Sequence, residues 1–123
     1  MNKKYVKMIQ KSKQLVNVSS STTQLFNFLS INPSTYSIGV STNCAIYKCR
    51  ISVCYIYFKT RSIEIWDEDQ AGNKCTRFND LISKFTTAPN IRLVPKQNGV
   101  PIQKVSLYTD ADVLDLLNAI KIL

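Results

Sequence analysis

There is no histidine among the 123 residues. That removes imidazole general-base chemistry, the Ser–His and Cys–His nucleophile pairs, and every His-containing metal site. Acidic residues are absent from the first half, the earliest being Glu64. Glycine is scarce. Gly39, Gly72 and Gly99 are the only three, so neither a P-loop nor a dinucleotide fingerprint can be assembled. No apolar run approaches the roughly 18 residues that span a bilayer. Residues 1–13 are basic, yet no apolar stretch follows them as in a secretory leader. The expectation is a cytoplasmic chain without a membrane span, forming one domain over residues 1–123.

What is present is basic and unevenly placed. Lys and Arg number 16 against 8 acidic residues, a formal charge of +8. Residues 1–63 carry Lys3, Lys4, Lys7, Lys11, Lys13, Lys48, Arg50, Lys59 and Arg61 with no acidic residue, a sum of +9. Residues 64–123 sum to −1. Such asymmetry favours a polyanionic partner, nucleic acid or an anionic surface, although solubility alone also calls for charge. These nine cations are the candidate nucleic-acid-binding residues.

The stretch Arg50–Trp66 organises the fold. Residues 50–59 are rich in β-branched and aromatic side chains and contain no Gly or Pro, which predicts a strand. Alternation puts Ile51, Val53, Tyr55 and Tyr57 on one face and Ser52, Cys54, Ile56 and Phe58 on the other. Both faces are mostly apolar, so the strand belongs inside a sheet. Residues 59–62 break it, and Ile63–Trp66 returns as its partner. Tyr36–Val40 and Cys44–Tyr47 are β-prone runs that pair as a hairpin or lead into the central strand. Ile91–Val94 and Ile102–Tyr108 complete the strand expectations, with a loop over 95–99.

Helices are expected in four places. Residues 2–16 form a basic amphipathic helix on Tyr5, Met8 and Ile9, or else a flexible arm over 1–18 that orders on nucleic acid. Residues 19–23 read as a polar joint, after which Gln24–Ile31 forms a short helix capped by Ser21 or Thr22 and stopped by Pro33. Phe78, Leu81, Ile82 and Phe85 recur at the helical period and predict a helix over Cys75–Thr86. The last helix starts at Thr109, with Asp112 three residues on in a capping-box position. Val113, Leu116, Leu117 and Ile120 are its buried stripe. The resulting class is α+β, a mainly antiparallel sheet centred on the 50–66 hairpin with helices packed against it.

Motif by motif, the chemistry is thin. Cys44, Cys49, Cys54 and Cys75 do not match four-Cys metal spacings, and on a strand Cys49 points away from Cys44 and Cys54. Reduced, partly buried thiols are expected, with no metal and no cofactor. Residues 67–72 start like a calcium loop, but Ala71 and Phe78 stand where oxygen ligands are needed, and a solvated turn is expected instead. Glu64, Asp67 and Asp69, with Lys59 and Lys74 in range, have the composition of a metal-assisted nuclease site but lack its acid-x-Lys tripeptide. Tyr55, Tyr57 and Phe58 beside Arg50, Lys59 and Arg61 suit a base-stacking sheet face, although aromatics in a central strand more often belong to a core.

The segments Tyr55-Ile56-Tyr57-Phe58-Lys59-Thr60, Ile63-Glu64-Ile65 and Val105-Ser106-Leu107-Tyr108-Thr109-Asp110-Ala111-Asp112 with its helix resemble a small uncharacterised α+β domain. That domain occurs in bacterial proteins described as predicted transport or restriction-nuclease-associated. The likeness covers about a third of the chain. The family's Gly-His signature has no counterpart, and the Phe78–Phe85 helix does not match its middle. The resemblance implies an α+β class and a defence or mobile-element setting, and carries over no catalytic residue.

Three functions follow as expectations. The first is a non-enzymatic protein associated with DNA or RNA through its basic half. The second is a protein-binding module of inhibitor or antitoxin type, such as a phage accessory protein. The third is a minimal metal-dependent nuclease.

Overall fold

In the computed structural model the described residues are 20–30, 36–40, 45–49, 53–59, 62–69 and 71–123. For Phe26, Ser30 and the segments 36–40 and 45–49 the description is of the backbone. The elements are α1 (Ser20–Ser30), β1 (Tyr36–Val40), β2 (Ala45–Cys49), β3 (Tyr55–Phe58), β4 (Ile63–Trp66), α2 (Phe78–Ser83), β5 (Ile91–Val94), β6 (Ile102–Leu107) and α3 (Asp110–Lys121).

The strands form one six-stranded sheet in the order β1-β2-β3-β4-β6-β5. Every pairing is antiparallel, as the α+β expectation required. β1 to β4 make a meander. β6 then joins the far side of β4, and β5 lies outside it. The β3–β4 pair therefore sits at the centre of the sheet.

Strand alternation divides the sheet into two faces. Ile56 and Phe58 of β3, Ile63 and Ile65 of β4, and Val105 and Leu107 of β6 point to one of them. They are buried there in one cluster with Leu25 and Leu29 of α1, Phe78 and Leu81 of α2, and Val113, Leu116, Leu117 and Ile120 of α3. The three described helices thus cover the same face. At roughly 25 cal/mol per Å² of apolar surface removed from water, this cluster is the main favourable term in folding.

The last helix follows the sequence closely. Thr109 is extended, its side chain accepts from the Asp112 N–H at 3.2 Å, and the Asp112 carboxylate accepts from the Thr109 N–H at 3.4 Å. This reciprocal capping box satisfies two donors that a helix start leaves open. Thr109→Ala is expected to cost about 1 kcal/mol. A denaturation midpoint that stays where it was would show that the cap adds nothing.

Other boundaries moved. α1 begins at Ser20 rather than Gln24. Ser21 and Thr22, expected as caps, lie inside the helix and are buried. The Ser21 hydroxyl donates to the Asp110 carboxylate at the start of α3, so tertiary contact overrides the polar character of residues 20–23. α2 spans only Phe78–Ser83, shorter than the expected Cys75–Thr86. At its front the Cys75 N–H is drawn to the Asp67 carbonyl. Behind it, the Thr86 N–H and hydroxyl donate to Asp115 Oδ1 at 2.9 Å, and the Thr87 N–H donates to Oδ2 at 3.3 Å. α3 thereby captures the chain that would have continued α2. β3 is also shorter than the run 50–59, beginning at Tyr55.

Among the described residues no helix is long and apolar enough to cross a membrane.

Candidate nucleic-acid interface

The sheet face turned away from the helices carries Tyr55 and Tyr57 of β3, Glu64 and Trp66 of β4, and Lys104 and Ser106 of β6. Register fixes two rows. Tyr55 is opposite Trp66, which is opposite Lys104; Tyr57 is opposite Glu64, which is opposite Ser106. Directly opposed residues on antiparallel strands share a face and touch.

The aromatic rings make a short stack. Tyr57 lies 5.2 Å from Tyr55, edge to face, and 4.7 Å from Trp66 at a tilt of 46°. Tyr55 is buried, whereas Tyr57 and Trp66 are partly buried against it. Lys104 Nζ sits 4.5 Å from the centre of the Trp66 ring, within cation–π range. Lys59 Nζ is 6.0 Å from the Tyr57 ring, at the limit of that range.

Glu64 ties this face together. Its Oε1 is 2.8 Å from Lys59 Nζ and 3.6 Å from Lys104 Nζ, and accepts from the Trp66 indole N–H at 3.2 Å. Its Oε2 accepts from the Ser106 hydroxyl at 3.5 Å. Burial on its own raises the Glu64 carboxyl pKa. The hydrogen bonds from Lys59 and Trp66 and the charges of Lys104 and Lys59 outweigh that, and the net shift is downward. The group is ionised at neutral pH. Two ammonium groups and one carboxylate leave this patch cationic.

Of the nine candidate cations, Lys59 is placed here with its side chain, and it is bound to Glu64. Lys48 belongs to β2 and is paired with Tyr55, so its register position continues the row that runs through Trp66 and Lys104. Lys3, Lys4, Lys7, Lys11, Lys13, Arg50 and Arg61 lie outside the described residues, as does the expected N-terminal helix or arm. Lys104 was missed. The alternation of residues 102–108 already put Lys104 and Ser106 on one face, but only the β4–β6 register shows that it is the face of Glu64 and Trp66.

The carboxylates that suggested a nuclease diverge. Glu64 faces the aromatic rings. Asp67 accepts from the Gln103 N–H at 3.0 Å and the Gln103 side-chain amide at 3.1 Å, with Lys74 Nζ at 3.4 Å. Asp69 Oδ1 accepts from the Ala71 and Asn73 N–H groups, both at 2.9 Å, and closes the turn in which Gly72 takes a φ of +86°. Among the described residues no three Cys, Asp or Glu stand together as a set that could hold a metal ion. The turn is solvated at its tip, where Ala71, Gly72 and Asn73 are exposed, but not at its base. Asp67 and Glu68 are buried, and Glu68 pairs with Lys96 at 2.7 Å and Lys74 at 3.6 Å. Cys54 and Cys75 are buried.

Comparison with known proteins returned no match to a family model, to a curated protein or to a solved structure.

Proposed function

We propose that this chain is a small non-enzymatic nucleic-acid-binding protein that uses its basic half and the sheet face around Lys59, Trp66 and Lys104. The observation that carries the reading is the distribution of charge. Nine cations and no acidic residue occupy residues 1–63. Three carboxylates at and beside the end of β4 support it. Glu64, Asp67 and Glu68 are buried and held by Lys59, Lys104, Lys74 and Lys96, so they do not present an anionic surface to a polyanion.

The aromatic residues have a limited part. Tyr55 is too deeply buried to stack a base, which leaves the partly exposed Tyr57 and Trp66 as contacts beside a backbone held by cations. Recognition on this basis is electrostatic and weakly dependent on sequence.

Fluorescence anisotropy with labelled single-stranded and duplex oligonucleotides tests this at two salt concentrations. If about five phosphates are neutralised, affinity should fall by about two to three orders of magnitude between about 50 and 200 mM salt. Replacing Lys3, Lys4, Lys7, Lys11 and Lys13 by Ala should flatten the slope if that segment makes the contacts. Replacing Lys48, Arg50, Lys59 and Arg61 should do so if the sheet makes them. A protein that binds neither DNA nor RNA at low salt removes this reading in favour of a protein-binding module.

A further inference from the structure

Among the described residues β5 is the last strand of the sheet, hydrogen-bonded to β6 on one side and to no strand on the other. Its outer edge offers backbone donors and acceptors as a template for another strand. The side chains along it are not those of a blunted edge alone. Leu93 is 65% exposed and Ile91 36% exposed. They share one face of the strand, with Arg92 and Val94 on the other.

Arg92 stands directly opposite Lys104 in the β5–β6 register. Like charges in opposed positions are unfavourable. Lys104 is compensated by Glu64 at 3.6 Å and by the Trp66 ring. Arg92 is exposed and has no ion-pair partner among the described residues. A strand laid along the free edge would place one residue opposite Arg92 on the same face. The residues before and after it would lie beside Ile91 and Leu93. An acidic residue between two apolar ones meets all three requirements.

Charge weighs against a second copy of this chain as the occupant. A two-fold pairing centred on Arg92 would bring two guanidinium groups together, and each copy carries a charge of +8. Pro89 and Pro95 also bracket the four residues of β5. They confine any added strand to a short segment and oppose unlimited growth of the sheet. Beside the Asn90 end opens a groove of about 620 Å³ lined by Phe85, Pro89, Asn90, Ser106 and Tyr108 among others. A residue flanking the added segment has room there.

We propose that the outer edge of β5 binds an extended segment of a partner protein, of the pattern apolar–acidic–apolar, by strand addition. Main-chain hydrogen bonds supply the attraction, and Arg92 and Leu93 select the side chains. The contact is short, so it belongs with weak, reversible interfaces. Arg92 stands beside Lys104 on the same face of the sheet, so this edge adjoins the basic face, but strand addition there does not depend on nucleic-acid binding.

The test uses three labelled peptides of equal length at about 0.15 M salt, where long-range attraction to a cationic protein is screened. One has Val-Glu-Val at its centre, one has Val-Lys-Val, and the third contains the residues of the first in scrambled order. The first should bind about tenfold more tightly than either other peptide. Amide NMR shifts should concentrate on residues 91–94. Arg92→Glu should reverse the preference between the glutamate and lysine peptides, and Leu93→Lys should abolish binding, both changes being at exposed positions. Equal binding of the ordered and scrambled peptides overturns the proposal. So do shifts confined to another surface, and so does a concentration-dependent dimer that Leu93→Lys dissolves.

Discussion

Phe78→Ala should lower the unfolding free energy by about 3–5 kcal/mol. Domains of this kind have only about 5–15 kcal/mol in total, so this one change consumes a large share. The size of the effect follows from how α2 is held. Six residues are too few for a helix to persist in water alone. Arg77, at its N-cap, supplies no side-chain hydrogen bond. What fixes the element is burial of Phe78 and Leu81 in the cluster shared with α1, α3 and the sheet. Removing the ring leaves a cavity and releases the segment together. Asn79, exposed on the same helix, is the control, and its change to Ala should stay within about 0.5 kcal/mol. Urea titrations of the two variants decide the matter. A Phe78→Ala cost close to that of Asn79→Ala would mean that α2 is not anchored as described.

The second large effect concerns Glu64. Its folded pKa is lowered from the ordinary value of 4.5. A carboxyl whose pKa is depressed by folding stabilises the native state above the unfolded pKa, and that stability is lost as pH falls through the folded pKa. Unfolding free energy should therefore decline from about pH 4.5 downward. Asp115, whose pKa is lowered by the hydrogen bonds from Thr86 and Thr87 against the opposing pull of burial, acts in the same direction. Glu64→Gln keeps the shape of the side chain and removes the charge. At neutral pH it leaves Lys104, whose side chain is only 13% exposed, without its carboxylate. The expected cost is about 3 kcal/mol, the lower end for breaking one side of a buried pair. The variant should also show a shallower loss of stability in acid. Identical pH profiles for the two proteins would refute the role given to Glu64. On the sequence alone Glu64 was one of three carboxylates, with Asp67 and Asp69, that had the composition of a nuclease site. The structure makes it the hub of its face.

What was legible in the sequence followed from local rules. The strands Ile63–Trp66 and Ile91–Val94 were bounded correctly, because turn residues flank short β-branched runs. The Thr109 capping box and the stripe Val113, Leu116, Leu117 and Ile120 were likewise visible, since their spacing is set within one helix. The misplaced boundaries share one cause. Ser20–Thr23 became helical because Ser21 reaches Asp110, and α2 stopped early because Asp115 holds Thr86 and Thr87. Each of these partners lies far along the chain, where periodicity carries no information. The same holds for the candidate face. Tyr57, Glu64 and Trp66 were all in view within one hairpin, but Lys104 joins them through a strand pairing that no local pattern announces. Lys59 was picked for its charge, and what it binds in the structure is a carboxylate that lay five residues away.

The order of the strands also bears on how the chain finds its shape. β1 to β4 each pair with a neighbour in sequence, and β5 meets β6 across a single loop. Such steps cost little entropy. Two closures are of another kind. Trp66 must meet Lys104 to join the two blocks of the sheet, and α1 must meet α3 across the 89 residues that separate Ser21 from Asp110. Long closures lose chain entropy before they gain contacts, and proteins that depend on them fold more slowly than those built from neighbours. Leu25 and Leu29 belong to the cluster that the second closure completes. A chain that must make such a closure exposes apolar surface longer than one built from neighbours alone, and with it the chance of misassociation.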